Sequence, residues 1–216
     1  MRSTSAAYLT FVAAFVAGHP SAAEVTIEQK PVVVEQRIFD SAHRPGEMPP
    51  LKPGEAAVTE SHFVCDTDLS YKVLDRTPGE AGCTTSVRIQ SVHMTLSLRI
   101  LIWLPTAAPP KLVAHEQGHQ HIDQRIYKEA RQIAETEAKL LDGQVKTTSA
   151  ADCAAAEKKA TQSAAEELGK RYLQAVGHRA ELINGRYDEI TLHGTKTAPA
   201  EDKAIEQAFD CERPAR

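Results

Sequence analysis

The rhythm of apolar positions changes once along this chain, at Leu104-Pro105. Upstream it is strand-like. Val25, Ile27 and Val32 to Val34 are β-branched and predict one or two short strands, with Pro31 at a break or an edge. Ser41 to Glu55 is a loop, punctuated by Pro45-Gly46, Pro49-Pro50 and Pro53-Gly54. Ala56 to Val64 and Leu69 to Leu74 predict two more strands, with a turn at Thr77-Pro78-Gly79-Glu80. Between Cys83 and Leu104, apolar residues recur at every second position: Val87, Ile89, Val92, Met94, Leu96, Leu98, Ile100 and Ile102. The phase slips near Ser91, which predicts a bulge or a turn there.

Downstream of Pro109-Pro110 the period becomes helical. Ile122, Ile126, Ala130, Ile133, Leu140 and Leu141 fall on one side of a helix that starts at Leu112 and stops near Leu141-Asp142-Gly143. Thr147-Thr148-Ser149 offers N-caps for a second helix, about Ala151 to Asn184, with Ala160, Ala164, Leu168, Tyr172, Ala175 and Leu182 on or near its stripe. Asn184-Gly185 reads as its stop. The expected fold class is α+β: a small, mostly antiparallel sheet followed by a long antiparallel helical hairpin. Residues 24–216 form a single domain, with a sheet-rich half at 24–105, the hairpin at 112–184 and a return loop and tail at 185–216.

A helix of about 30 residues is about 45 Å long. A second helix of similar length, joined by a short link, runs back beside it. The segment Tyr187-Asp188-Glu189-Ile190-Thr191-Leu192-His193-Gly194 is therefore expected to return to the start of the first helix.

The first residues add a destination. Arg2, the apolar run Ala6 to Ala17 and the small residues Ser21-Ala22-Ala23 match a secretory signal peptide over residues 1–23, leaving Glu24 as the new N-terminus. The run is too short to span a bilayer comfortably, so no stable membrane insertion is expected. Export places the mature chain in the periplasm or outside the cell. Without Arg2, 24 basic side chains face 29 acidic ones. No basic patch interleaves with aromatics, which argues against nucleic acid as a partner. The four cysteines, Cys65, Cys83, Cys153 and Cys211, suit two disulfides in an oxidising compartment. Three connectivities are open; the favoured one joins Cys65 to Cys83 and Cys153 to Cys211.

Candidate chemistry begins at His115-Glu116-Gln117-Gly118-His119, an H-E-x-x-H pattern on the first helix. Four-residue spacing puts both imidazoles on one face, where they can hold one Zn²⁺. Glu116 is offset around the axis and is placed to take a proton from water as general base. A catalytic zinc usually has three protein ligands. The candidates for the third are His193, Asp188, Glu189 and Asp123, with His193 favoured. His121 points elsewhere. Asp123, Asp188 and Thr191 are candidates for orienting the ligands. Tyr187 is either a tyrosine capping the hairpin or a donor to the oxyanion of a tetrahedral intermediate. His43, His62, His93 and His178 are read as ordinary surface or edge residues.

Two motifs together, His115-Glu116-Gln117-Gly118-His119 and Tyr187-Asp188-x-x-Thr191-x-His193-Gly194, resemble the bacterial family of predicted secreted zinc-dependent proteases called the domain of unknown function 922. The resemblance spans about Val25 to Gly194. It is supported by the strand-rich N-terminal half, a cysteine shortly before the long strand, and Leu104-Pro105 ahead of the metal helix. It implies an exported protein and a metallopeptidase activity. Members tend to carry tryptophans in the sheet half, whereas this chain has only Trp103.

The residues and the resemblance lead to one expectation. The chain is a zinc-dependent peptidase or amidase with one zinc per chain, acting on a peptide or a cell-wall peptide. The competing reading is an exported binding or scaffold protein whose zinc site is structural or vestigial. Oligomeric state leaves no mark in the sequence.

Overall fold

The structure, a computed structural model, describes residues 24–195 and 199–210. The expected signal peptide and Cys211 lie outside the described residues. The described residues form an α+β fold, with a five-stranded sheet and three helices.

One long strand organises the sheet. β4 (Gly82–Pro105) pairs along one edge with β3 (Val58–Gly79), antiparallel, from Val58↔Trp103 to Gly79↔Gly82. Along its other edge three short strands follow one another. β5 (Val145–Ala150) pairs antiparallel with Cys83 to Arg88. β1 (Glu24–Gln29) and β2 (Val33–Phe39) pair parallel with Ser91 to Leu96 and Arg99 to Pro105. The expectation of a mostly antiparallel sheet is therefore corrected to a mixed one. The reason is topological: β1 and β2 reach β4 from the same direction, with no hairpin between them and β4.

Alternation drives this arrangement. Val87, Ile89, Val92, Met94, Leu96, Leu98, Ile100, Ile102 and Leu104 are all buried. The phase slip near Ser91 is a bulge: Ser70 pairs with Ser91, but Tyr71 pairs with Ile89, leaving Gln90 unmatched. β4 passes through it unbroken. The two strands expected in 56–74 are one strand, and the reversal comes at Glu80-Ala81, at the end of the expected turn. Gly82, with φ +132°, lies where a Cβ would sit 2.1 Å from the Ala150 carbonyl oxygen, so only glycine lets β5 close against this corner. At the far end of β4 both faces are covered. Phe39 and Met48, from β2 and the loop after it, pack on Leu101 and Trp103.

α1 (Pro110–Lys139) begins with proline in its first turn, as a helix N-terminus tolerates. It ends where Leu140-Leu141-Asp142 tightens into turns. Val145 to Ala150 then forms β5 rather than a short link, so Thr147-Thr148-Ser149 caps nothing. Asp152 caps α2 (Cys153–Thr191) by accepting a hydrogen bond from the Ala155 amide at 2.8 Å. α2 does not stop at Asn184-Gly185. Its buried row runs on as Ala156, Ala160, Ala164, Leu168, Tyr172, Val176, Ala180, Ile183, Tyr187 and Thr191. The spacing of three and four never breaks, and that packing holds Gly185 inside the helix despite its poor propensity. Contacts run in opposite order along the two helices: Glu137 meets Arg171, Glu129 meets Arg179, and His119 meets Asn184. The pair is antiparallel.

A disulfide joins Cys83 to Cys153 and fixes the start of β4 to the start of α2. This corrects both favoured pairings, Cys65 with Cys83 and Cys153 with Cys211. β5 carries the N-terminus of α2 to β4, whereas Cys65 sits opposite Leu96, far along the ladder. Cys65 pairs with no cysteine among the described residues. α3 (Glu201–Phe209) packs Ala204, Ile205, Ala208 and Phe209 on Ile122, Ile126, Ile183 and Tyr187. None of the described helices is long and apolar enough to cross a membrane.

Candidate metal centre

The first turns of α1 and the last turns of α2 meet beside β3. One row of α2 is polar or small there: Gly177, Glu181, Asn184 and Asp188 lie next to the buried row and line a cleft of about 520 Å³. β3 contributes Thr59, Ser61 and Phe63, and α1 contributes His115, Glu116, His119 and Asp123. The loop before β3 closes the rim with Pro49, Pro50, Lys52 and Glu55.

Three donor atoms converge at the bottom of the cleft. His115 Nε2 and His119 Nε2 are 3.3 Å apart, and Asp188 Oδ1 lies 3.3 Å from the first and 3.1 Å from the second. Each ring is held by its other nitrogen. His119 Nδ1 lies 2.7 Å from Asn184 Oδ1, whose amide nitrogen donates to Asp123 Oδ1 at 2.8 Å. Ser61 donates to the other Asp123 oxygen at 2.5 Å. Because Asp123 only accepts, Asn184 must present its oxygen to His119, and His119 Nδ1 carries the proton. Thr191 donates to the Tyr187 carbonyl at 2.8 Å and can accept from His115 Nδ1 at 3.3 Å. In the neutral tautomers so fixed, both Nε2 lone pairs face the Asp188 carboxylate, and a further proton on Nε2 turns either contact into a hydrogen bond to Asp188. Three acceptors this close repel one another unless a cation sits among them.

The separations fit a metal. Ligand atoms about 2.0–2.1 Å from a tetrahedral ion stand about 3.3 Å apart, as this triangle does. A proton can partly fill the same role. Burial works to lower the His119 pKa, but the Asp188 hydrogen bond and charge, with help from Glu116 and Asn184, push it up to about 9. Burial works against the Asp188 charge, yet hydrogen bonds from His115 and His119 hold its carboxyl well below the usual range.

Glu116 is buried and lines the same cleft. Thr59 donates to its Oε2 at 2.7 Å. Burial pushes its carboxyl above the usual carboxylate range, and the nearby His119 and the Thr59 bond partly restrain the shift. That is the direction a general base needs to approach neutral pH.

The other expected site residues fall in distinct places. The atom that closes the triangle belongs to Asp188, not to the favoured His193. α2 continues past Asn184, so Asp188 lies one turn further on the cleft row, while His193 lies beyond the helix end at Leu192. His193 Nδ1 is 3.6 Å from Asp188 Oδ1. Tyr187 stacks flat behind His115, ring centroids 5.2 Å apart, and meets His119 edge-on at 5.1 Å. It faces α3, outside the cleft, which favours the hairpin-capping reading over the oxyanion donor. Gly118 is the other half of that contact: a Cβ there would sit 2.1 Å from the Tyr187 hydroxyl. Asp123 orients His119 through Asn184 rather than directly. Thr191 orients His115, as its place in the motif allows. Glu189 pairs with Arg186 on the exposed side, and His121 pairs with Glu201. His43, His62, His93 and His178 are exposed.

Asn184, Thr59 and Ser61 carry ligand orientation and base placement without any motif in the sequence. Only the unbroken spacing through Ile183, Tyr187 and Thr191 signals that Asn184 is helical and faces the first helix. No family model, curated protein sequence or solved structure matches the chain.

Proposed function

We propose that this protein is a metal-dependent hydrolase of amide bonds, a zinc peptidase or amidase, with His115, His119 and Asp188 as the metal ligands. The observation that carries the reading is the triangle of three acceptors at 3.1–3.3 Å beside a buried glutamate. A bound zinc supplies Lewis acidity to the substrate carbonyl and to a water molecule. The chain's residues do the rest. Asn184 and Thr191 fix the ring orientations, Thr59 holds Glu116 at the cleft floor, and Glu116 takes the proton and returns it to the leaving amine. Two imidazoles and one carboxylate suit zinc by donor type.

A peptide substrate is favoured by the strand beside the cleft. Among the described residues β3 pairs only with β4, so no strand covers its far edge beside the cleft, where an extended chain could add by β-augmentation. Export to an oxidising compartment is part of the same proposal, and the Cys83–Cys153 disulfide supports it. So does the resemblance to the predicted secreted zinc-dependent proteases.

The test is elemental analysis of the mature protein, followed by a screen of peptide and cell-wall peptide substrates. About one tightly bound zinc per chain is expected. So is hydrolysis that Glu116→Gln removes while the zinc stays. Absence of zinc uptake by the folded protein overturns the reading and leaves a helical scaffold. Zinc retained with a Glu116→Gln variant as active as the parent overturns the catalytic assignment.

A further inference from the structure

Asp188 belongs to two clusters. Besides the triangle with His115 and His119, it lies with Glu55 and His193 in a second set whose donor atoms are all within 4.8 Å of one another. We propose that Glu55, Asp188 and His193 form a second divalent-cation site, with Asp188 bridging it to the site of the two helix histidines. For the first ion the inference rests on the hydrolase reading; for the second it rests on the residues below.

His193 supplies the independent observation. Its ring is partly exposed, but Nδ1 itself is shut off from solvent and finds no hydrogen-bond partner among the described residues. A buried nitrogen left without a partner is costly, and a bound cation would relieve it. The turn after α2 puts it there. Leu192 and His193 are both left-handed, with φ of 50° and 51°, and the His193 amide donates to the Asp188 carbonyl at 3.1 Å. The ring is thus folded back to within 3.6 Å of the Asp188 carboxylate instead of trailing into solvent.

Glu55 approaches from the opposite wall. Its side chain is only 14% exposed although it stands on a loop. The Lys52 amide donates to Oε2 at 2.8 Å and fixes the carboxylate at the rim. The Lys52 ammonium is 3.9 Å from Oε1, but that side chain is 76% exposed, so its charge offsets little. Asp188 can serve both sites because a carboxylate has about four lone-pair positions over two oxygens. One imidazole and two carboxylates suit zinc, manganese or cobalt. Paired ions in hydrolytic sites stand about 3.5–4 Å apart, a separation that a shared carboxylate can span. The second ion depends on a loop residue and a turn residue, so it is the more weakly held.

The experiment is a zinc titration of the full mature chain after chelator stripping, read by calorimetry and by metal content. The parent is expected to bind two ions, the second at least about tenfold more weakly than the first. Glu55→Gln and His193→Ala are each expected to bind one, with the tight site unchanged. His119→Ala is expected to lose the tight site. Asp188→Ala is expected to lose both. Circular dichroism confirms that each variant is folded, and Glu55→Gln, on a loop and isosteric, is the safest of them. With cobalt in place of zinc, magnetic coupling between the two ions should appear at two equivalents and vanish in both single-site variants.

A parent that saturates at one ion, with Glu55→Gln and His193→Ala indistinguishable from it, overturns the second site and leaves the hydrolase reading intact. A single ion whose affinity falls in His193→Ala also overturns it and makes His193 part of a mononuclear centre. Two ions in the parent and in both variants mean the weaker one binds elsewhere, which overturns it as well. No binding by a folded parent removes the hydrolase reading first.

Discussion

The paired helices bury opposite materials at their two ends. Toward the C-terminus of α1 the contact is made of Ala130, Ala134 and Ala138 with Leu168, Tyr172 and Val176, and the nearby disulfide anchors the start of α2. Toward its N-terminus the same helix buries His115 and Asp123 against Asp188 and Asn184, and Glu116 against Thr59 of β3. The alanine end tolerates change in proportion to the volume altered, because dispersion and area are summed over many small contacts. The polar end does not, because each buried group needs its own partner and removing one strands the next. The helix pair thus has one half held by apolar packing and one half that gathers mutually dependent polar groups.

The comparison can be broken most directly at Asp188. Asp188→Ala leaves two imidazoles facing each other without a third donor, and zinc affinity should fall by about 100-fold or more, read by calorimetry. An equal affinity would mean that the triangle is not the binding site. The next largest effect is that of pH on the metal-free protein. A group whose pKa rises on folding stabilises the native state below its unfolded value and loses that stabilisation as pH climbs through the folded value. For His119 the window runs from the ordinary imidazole value of 6.5 to about 9. Metal-free protein should lose up to about 3 kcal/mol across it in urea unfolding, and zinc-loaded protein should not.

Smaller effects sharpen the contrast. Asn184→Ala should weaken zinc about 10–100-fold by freeing the His119 ring and leaving Asp123 short of a donor. Ala134→Ser, at the apolar end of the same helix, should leave zinc affinity unchanged. Two glycine-to-alanine changes should have opposite signs. Gly118→Ala drives a methyl into Tyr187 and should cost about 1–3 kcal/mol. Gly185→Ala meets nothing within 4 Å inside α2 and should add about 0.5–1 kcal/mol. Thermal melts of the two variants beside the parent check the pair. A stabilised Gly118→Ala would mean that Tyr187 does not press on the histidine helix.

Chain order, helix existence and the return of the second helix to His115 were legible because they rest on periodicity and chain length. The row Ile122, Ile126 and Ala130 is buried as its spacing predicts. The late part of the stripe is shifted: Leu140 is exposed while Ala134 and Ala138 are buried, since alanine spacing is a weak hydrophobic signal. Asn184-Gly185 carries a strong local stop, and packing of Ile183, Tyr187 and Thr191 overrides it. With the helix running on, Asp188 rather than His193 stands nearest both imidazoles, because a loop can aim any residue inward while a helix fixes which one faces the cleft.

Sequence alone therefore determined the rhythm of the long strand, its change of phase near Ser91, the two helices and the pair of histidines one turn apart. These are local, set by spacing along one element. Tertiary structure alone decided the parallel pairing of β1 and β2, the Cys83–Cys153 link, the Asn184 bridge to Asp123 and the meeting of Asp188 with both histidines. Each joins atoms from elements far apart in the chain, and local propensity carries no information about which distant backbone will lie alongside.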